Sequence, residues 1–177
     1  MNKKVIYGLV ALLLLLILGT FVYVYMQTRK PSVVREIQEP IFQEYTDAQL
    51  EDIISKESFA QANFGGKAFV SFKRIGEELQ NLDHIIYMWV LAEEYYKENG
   101  ILKEGSGTSL PIVLHISGSG TTKIVVPRDG SAYTNDIKRL FPENKVDHDS
   151  IFNTKVNSTI VKDLKARNTQ KAQEYFK

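Results

Sequence analysis

The sequence predicts an α+β protein: an N-terminal transmembrane helix, then a small domain with an antiparallel sheet of about four strands flanked by helices. Three observations carry this. Val5 to Met26 is a run of 22 residues without a formal charge. The later chain reads as a helix, then strands joined by short links, then helices, an order that favours an antiparallel sheet with segregated helices. Among 177 residues, 44% are hydrophobic and 24% charged, which is the composition of a globular protein and not of a disordered one.

Residues 1–4 form a short tail and residues 5–26 the anchor. As a helix the run from Val5 spans about 33 Å, enough for a hydrocarbon core of about 30 Å. Leu12 and Leu16 lie in its apolar centre, Leu12 to Leu18, and Met26 ends it. Tyr7, Tyr23 and Tyr25 stand near its ends, where amphipathic rings favour the lipid boundary. Lys3 and Lys4 flank one side, Arg29 and Lys30 the other. A cleaved signal peptide fits less well, because the apolar stretch is long and Phe21 to Tyr25 is too bulky for a cleavage site. The lipid bilayer is thus the expected partner of residues 5–26. The positive-inside comparison is nearly balanced, and the short charged tail resembles a signal-anchor, so the C-terminal domain is expected outside the cytoplasm at the cell membrane.

Residues 27–44, with Pro31 and Pro40, read as a stalk with little to bury. Residues 45–177 form the domain. Thr46 to Gln49 is a capping box opening a helix with Leu50, Ile53 and Ile54 on one face, broken by Asn63 to Gly66. Lys67 to Ile75 reads as a strand, with Ala68, Val70 and Phe72 on one face and Phe69 and Ile75 on the other. Gly76 to Leu82 is turn-like. Asp83 to Tyr96 fits a helix by spacing and a strand by its β-branched and aromatic content; the strand, to about Tyr95, is the expected form. Asn99-Gly100 is a turn, and Lys103 to Ser109 a glycine-rich loop. Leu110, Ile112, Leu114 and Ile116 alternate along a strand, and Ser117 to Gly120 closes a hairpin onto Thr121 to Val126. Pro127 ends that strand, and Arg128 to Ser131 is a turn. Tyr133, Ile137, Leu140 and Phe141 mark an amphipathic helix stopped by Pro142, and Ile160 to Phe176 a final one.

Charge and composition exclude several functions. Lys3, Lys4, Arg29 and Lys30 are four of the 22 basic residues, so the remainder holds 18 basic and 21 acidic residues, a net of −3. That gives no electrostatic footprint for nucleic acid. The chain has no cysteine, hence no disulfide, thiolate ligand or cysteine nucleophile. Gly105 to Thr108 and Gly118 to Thr121 match neither phosphate-binding glycine pattern nor a nucleophile elbow. Glu93 and Glu94, adjacent in a strand, face opposite sides and cannot act together. No cofactor is expected.

Four candidates remain. Tyr87, Trp89 and Tyr95 share parity in the expected strand and suit either a ligand-binding stripe for a peptide or glycan, or a second buried face under the terminal helices. Asp147, His148 and Asp149 are weak metal candidates, since adjacent residues seldom reach one ion. His115 or His148 with a nearby carboxylate is the only hydrolase constellation, and His115 alternates away from the buried face. Asn157-Ser158-Thr159 is a glycosylation sequon that overlaps a helix start.

The segments Ile86 to Val90, Glu94 to Tyr96, Gly105 to Gly107, Ser109 to Pro111, Pro127 to Ser131, Asp136 to Lys138 and Leu140 to Pro142 resemble a group of small exported proteins of Gram-positive bacteria of the Bacillus type. Members of that group are often lipoproteins; this chain lacks the cysteine for a lipid. The resemblance implies a cell-envelope location and brings no activity or catalytic residue. The expected function is a single-pass membrane-anchored protein with an extracytoplasmic interaction or sensor domain and a protein or envelope partner. The alternatives are a membrane-tethered hydrolase and an anchored accessory subunit of a membrane complex.

Overall fold

The structure of the protein, a computed structural model, describes residues 3–28 and 45–177, with side chains of the first helix from Leu14 to Met26. The chain divides into two compact units, Met1–Glu39 and Pro40–Lys177. In the first, α1 is a helix over Lys3–Thr28. Its large apolar side chains from Leu14 to Met26 are exposed throughout, 46% to 74%. Among the described residues no helix is long and apolar enough to cross a membrane, so the expected transmembrane helix is not supported by them: side chains at 14–26 make a shorter stretch than the about 20 residues a span needs. Residues 29–44, most of the expected stalk, lie outside the described residues.

The second unit is α+β. Helix α2, Asp47–Ser55, begins at the capping box: Gln49 N donates to Thr46 Oγ1 at 3.3 Å and Thr46 N to Gln49 Oε1 at 2.9 Å. It ends well before the expected glycine break and is followed by a 3₁₀ turn, Ser58–Ala60. Four strands follow: β1 Lys67–Gln80, β2 Asp83–Glu98, β3 Ile101–Ile116 and β4 Thr122–Val125. They form one antiparallel meander in the order β1-β2-β3-β4. Helices α3, Tyr133–Leu140, α4, Asp149–Phe152, and α5, Thr154–Tyr175, close the chain.

β2 is buried on both faces, which explains why its apolar run lacks clean alternation. On one face Leu50 and Ile54 of α2 and Ala60 cover Val70, Phe72, Ile86, Met88, Val90, Ile112 and Leu114. On the other, Ile137 and Phe141 of α3, Val146, Ile151 and Leu164 cover Ile75, Ile85, Tyr87, Trp89, Leu91 and Val113. A third cluster joins Phe69 and Tyr95 to Ala172, with Leu102 and Phe176 against it.

Three expectations are corrected. Gly76 to Gln80 is strand and not turn: β1 continues past a bulge at Ile75, and Gly76 bridges Val146, where a Cβ would collide with the Lys145 carbonyl. Lys103 to Ser109 is strand and not loop; it pairs with β2 through a bulge opposite Glu94. The final helix starts at Thr154, capped by the Asn153 side chain, so the sequon lies inside it.

Candidate functional site

The three aromatics of β2 sit on one face, and the terminal helices bury them. Tyr87, Trp89 and Tyr95 are 3%, 7% and 1% exposed, so the stripe is packing surface and not an open binding face. Tyr87 lies against Phe141 with ring centroids 5.8 Å apart, and its hydroxyl donates to Glu78 Oε1 at 2.7 Å. Burial, then the neighbouring Glu78 carboxylate, pushes the Tyr87 hydroxyl up. That hydrogen bond, with Lys145 Nζ 3.4 Å away, holds Glu78 below the usual carboxylate range. Trp89 Nε1 donates to Ser109 Oγ at 2.9 Å. Tyr95 meets Phe69 edge-on, and its hydroxyl bonds Thr169 Oγ1 at 3.0 Å and Glu93 Oε2 at 3.3 Å.

Glu93 and Glu94 face opposite sides of the sheet and live in different chemistry. Glu94, 1% exposed, accepts from the amides of Asn63, Phe64 and Gly66, each at 2.8 Å, and from Ser106 Oγ at 2.8 Å. Burial opposes its ionisation, and these donors more than offset it, bringing the carboxyl down to about 2. Both carboxylate oxygens are engaged by these donors, so Glu94 is a clamp holding the 63–66 loop. A cavity of about 20 Å³ beside it has room for a single water. Gly105 permits this arrangement: a Cβ there would stand 3.0 Å from the Glu94 side chain.

Glu93 faces α5. Its Oε2 accepts from Asn168 Nδ2 at 3.3 Å, and Lys165 Nζ lies 3.9 Å from Oε1. Burial raises its pKa, and Asn168 and Lys165 only partly offset that. Lys165 reaches on to Glu104 of β3 at 2.6 Å. Asn168 is fully buried; its Nδ2 also donates to the Leu91 carbonyl at 3.1 Å, and its Oδ1 has no partner.

Asp147, His148 and Asp149 do not form a ligand set. Asp147 lies just before α4, accepting from Ser150 Oγ at 2.7 Å and Asp149 N at 3.2 Å, and His148 Nε2 meets the Phe141 carbonyl at 2.7 Å. Among the described residues no three His, Asp or Glu side chains could hold a metal ion. His115 stands on β3 opposite Ile85 and Lys123; no hydrogen bond or ion pair joins it to Asp147, His148 or Asp149.

Sequence reasoning passed over Asp136, a buried carboxylate on α3. Arg128 grips it through Nε at 2.8 Å, Nη2 at 2.9 Å and its backbone amide at 3.0 Å, and Arg139 adds a contact at 3.1 Å. These bonds, led by the Arg128 side chain, hold its carboxyl far below the usual range. The signal was an aspartate one turn before Arg139 on a helix whose other inward positions are apolar. Compared with known protein families, curated proteins and solved structures, the chain matches none of them.

Proposed function

We propose that the protein is a single-pass membrane-anchored binding module of the cell envelope, with residues 5–26 in the bilayer and its α+β unit outside the cytoplasm. One observation supports this most: α1 presents Leu14 to Met26 to its surroundings with no polar side, continuing an uncharged run that begins at Val5 and is framed by Lys3, Lys4, Arg29 and Lys30. Such a surface on a helix is stable in lipid and not in water. Two of the groups that a hydrolase would use are engaged in the fold, His148 on a backbone carbonyl and Asp147 before a helix start, which favours binding over catalysis for the outer unit. The partner is a protein or envelope component.

Alkaline carbonate extraction of membranes tests the anchor. The wild-type chain is expected in the pellet. Leu12→Arg with Leu16→Arg, at about 2.5–3.5 kcal/mol per central charge on an insertion scale, is expected in the supernatant. Extraction of the wild-type chain by carbonate refutes the anchor.

A further inference from the structure

The two edges of the sheet are treated differently. On β1 three carbonyls at the middle of the strand are covered: Lys171 Nζ reaches Val70 O at 2.7 Å, Arg167 Nη1 reaches Phe72 O at 2.9 Å, and Asp147 N reaches Ile75 O at 2.8 Å. Lys171 and Arg167 are fixed in turn on Glu51 of α2, at 2.6 and 3.3 Å. This is how a sheet edge is closed against pairing with another chain. On the other side, β4 pairs only with Val113 to Ile116. Among the described residues nothing pairs with the outer edge of β3 from Ile101 to Pro111. Helix α5 packs mainly on β1 and β2 and reaches β3 at Glu104, through Lys165 Nζ at 2.6 Å, without pairing with its backbone edge.

The backbone groups free on that edge follow from its two ends. Asn99 and Gly100 both have positive φ, 52° and 77°, the two-residue turn in which Glu98 and Ile101 exchange both hydrogen bonds. Alternation then turns Leu102 and Glu104 outward. Pro111, opposite Trp89, has no N–H to give β2, so it faces outward, and Ser109 and Gly107 with it. The two sequences of alternation meet at the bulge, where Gly105 and Ser106 together oppose Glu94.

We propose that this open β3 edge pairs with the β3 edge of a second copy of the chain, antiparallel about a two-fold axis between Gly105 and Ser106, joining two sheets into one of eight strands. The outward set is symmetric about that axis. Leu102 meets Ser109 of the partner subunit, and Glu104 meets Gly107 of the partner subunit, each as a hydrogen-bonded pair. Lys103 then stands opposite Thr108 of the partner subunit, and no like charges face each other. Ile101, an apolar side chain left 63% exposed in the single chain, lies opposite Leu110 of the partner subunit on the same face. Pro111 falls outside the paired stretch. The pairing is isologous, the commonest form of self-association. It does not depend on the anchor, although two copies held in one membrane would meet more often.

Introduced cysteines test this cleanly, because the chain has none. Full-length Lys103→Cys and Thr108→Cys chains carrying different tags are co-expressed, purified in mild detergent and oxidised. A non-hydrogen-bonded cross-strand pair has Cβ atoms about 4.5–5.5 Å apart, so a mixed disulfide dimer is expected. Each variant alone is expected to stay uncross-linked, because two copies of position 103, or of 108, lie on the order of 15 Å apart at about 3.3 Å per residue. Adding Ile101→Lys, an exposed position, to the Lys103→Cys chain is expected to lower the mixed cross-link at least tenfold with an unchanged circular dichroism spectrum. No mixed cross-link, including the case in which the edge takes an extended segment of another protein, overturns the proposal. So do equal cross-links in the single variants, or a mixed cross-link indifferent to Ile101→Lys.

Discussion

Replacing Phe141 with alanine removes the ring that ties the second helical layer to the sheet. Phe141 is fully buried, between Ile137 on its own segment and Tyr87 on β2. Losing a buried aromatic forfeits about 2 kcal/mol of transfer free energy, and an uncollapsed void of about 100 Å³ at about 24 cal/mol per Å³ adds about 2.4 kcal/mol. The expected cost is therefore about 4 kcal/mol, inside the usual range of about 3–5 for this substitution. For a unit of this size each kcal/mol moves Tm by roughly 3–4 °C, so Tm should fall by about 12–16 °C. Urea titration of the wild-type and Phe141→Ala proteins by circular dichroism measures the difference, with Phe64→Ala, at an exposed ring, as a control expected within about 0.5 kcal/mol of wild type. A cost below about 1 kcal/mol for Phe141→Ala would refute the packing of α3 on the sheet.

Other outcomes follow from the same geometry. Asn153→Ala removes the side chain that accepts from Lys155 N and Val156 N at the start of α5, and should cost about 1 kcal/mol in urea unfolding; no loss would mean that the cap is idle. Glu94 titrates at about 2 in the fold against an ordinary 4.5, so its stabilisation is present above pH 4.5 and lost as pH falls from there towards 2. Glu94→Gln should therefore flatten the acid limb of a Tm-against-pH curve, and an unchanged limb would contradict the clamp. Glu93, raised by burial, runs the other way: its contribution is complete below its ordinary value and fades as pH rises through its folded value, so Glu93→Gln should gain stability relative to wild type towards neutral pH. A chelator should leave Tm unchanged, and a large drop would restore Asp147, His148 and Asp149 as ligands.

Much of the fold was legible because local signals agreed with it. The Thr46 and Gln49 pair marked the start of α2, Asn99-Gly100 marked a hairpin, and the alternation from Leu110 to Ile116 marked β3. Two of the failures share one cause. Gly76 and Gly105 were read as turn and loop residues, yet both lie inside strands where another part of the chain comes close: the Lys145 carbonyl at Gly76, and the Glu94 carboxylate at Gly105. A glycine required by a tertiary contact looks the same in sequence as one required by a turn. The aromatic stripe was placed on one face correctly by parity, but parity cannot say which face α5 covers. Glu94 was seen only as half of a pair; its partners, Asn63 to Gly66 and Ser106, are 28 to 31 and 12 residues away, and no periodicity connects them.

The central claim is that the α+β unit is held at the membrane, outside the cytoplasm, by residues 5–26. Protease treatment of intact cells or protoplasts, with a tag at the C-terminus, tests it most directly. The account predicts cleavage between residues 27 and 44 without lysis, releasing a tagged fragment of the size of the folded unit beginning near Tyr45. A tagged chain protected in intact cells and protoplasts, and cut only after lysis, would contradict it.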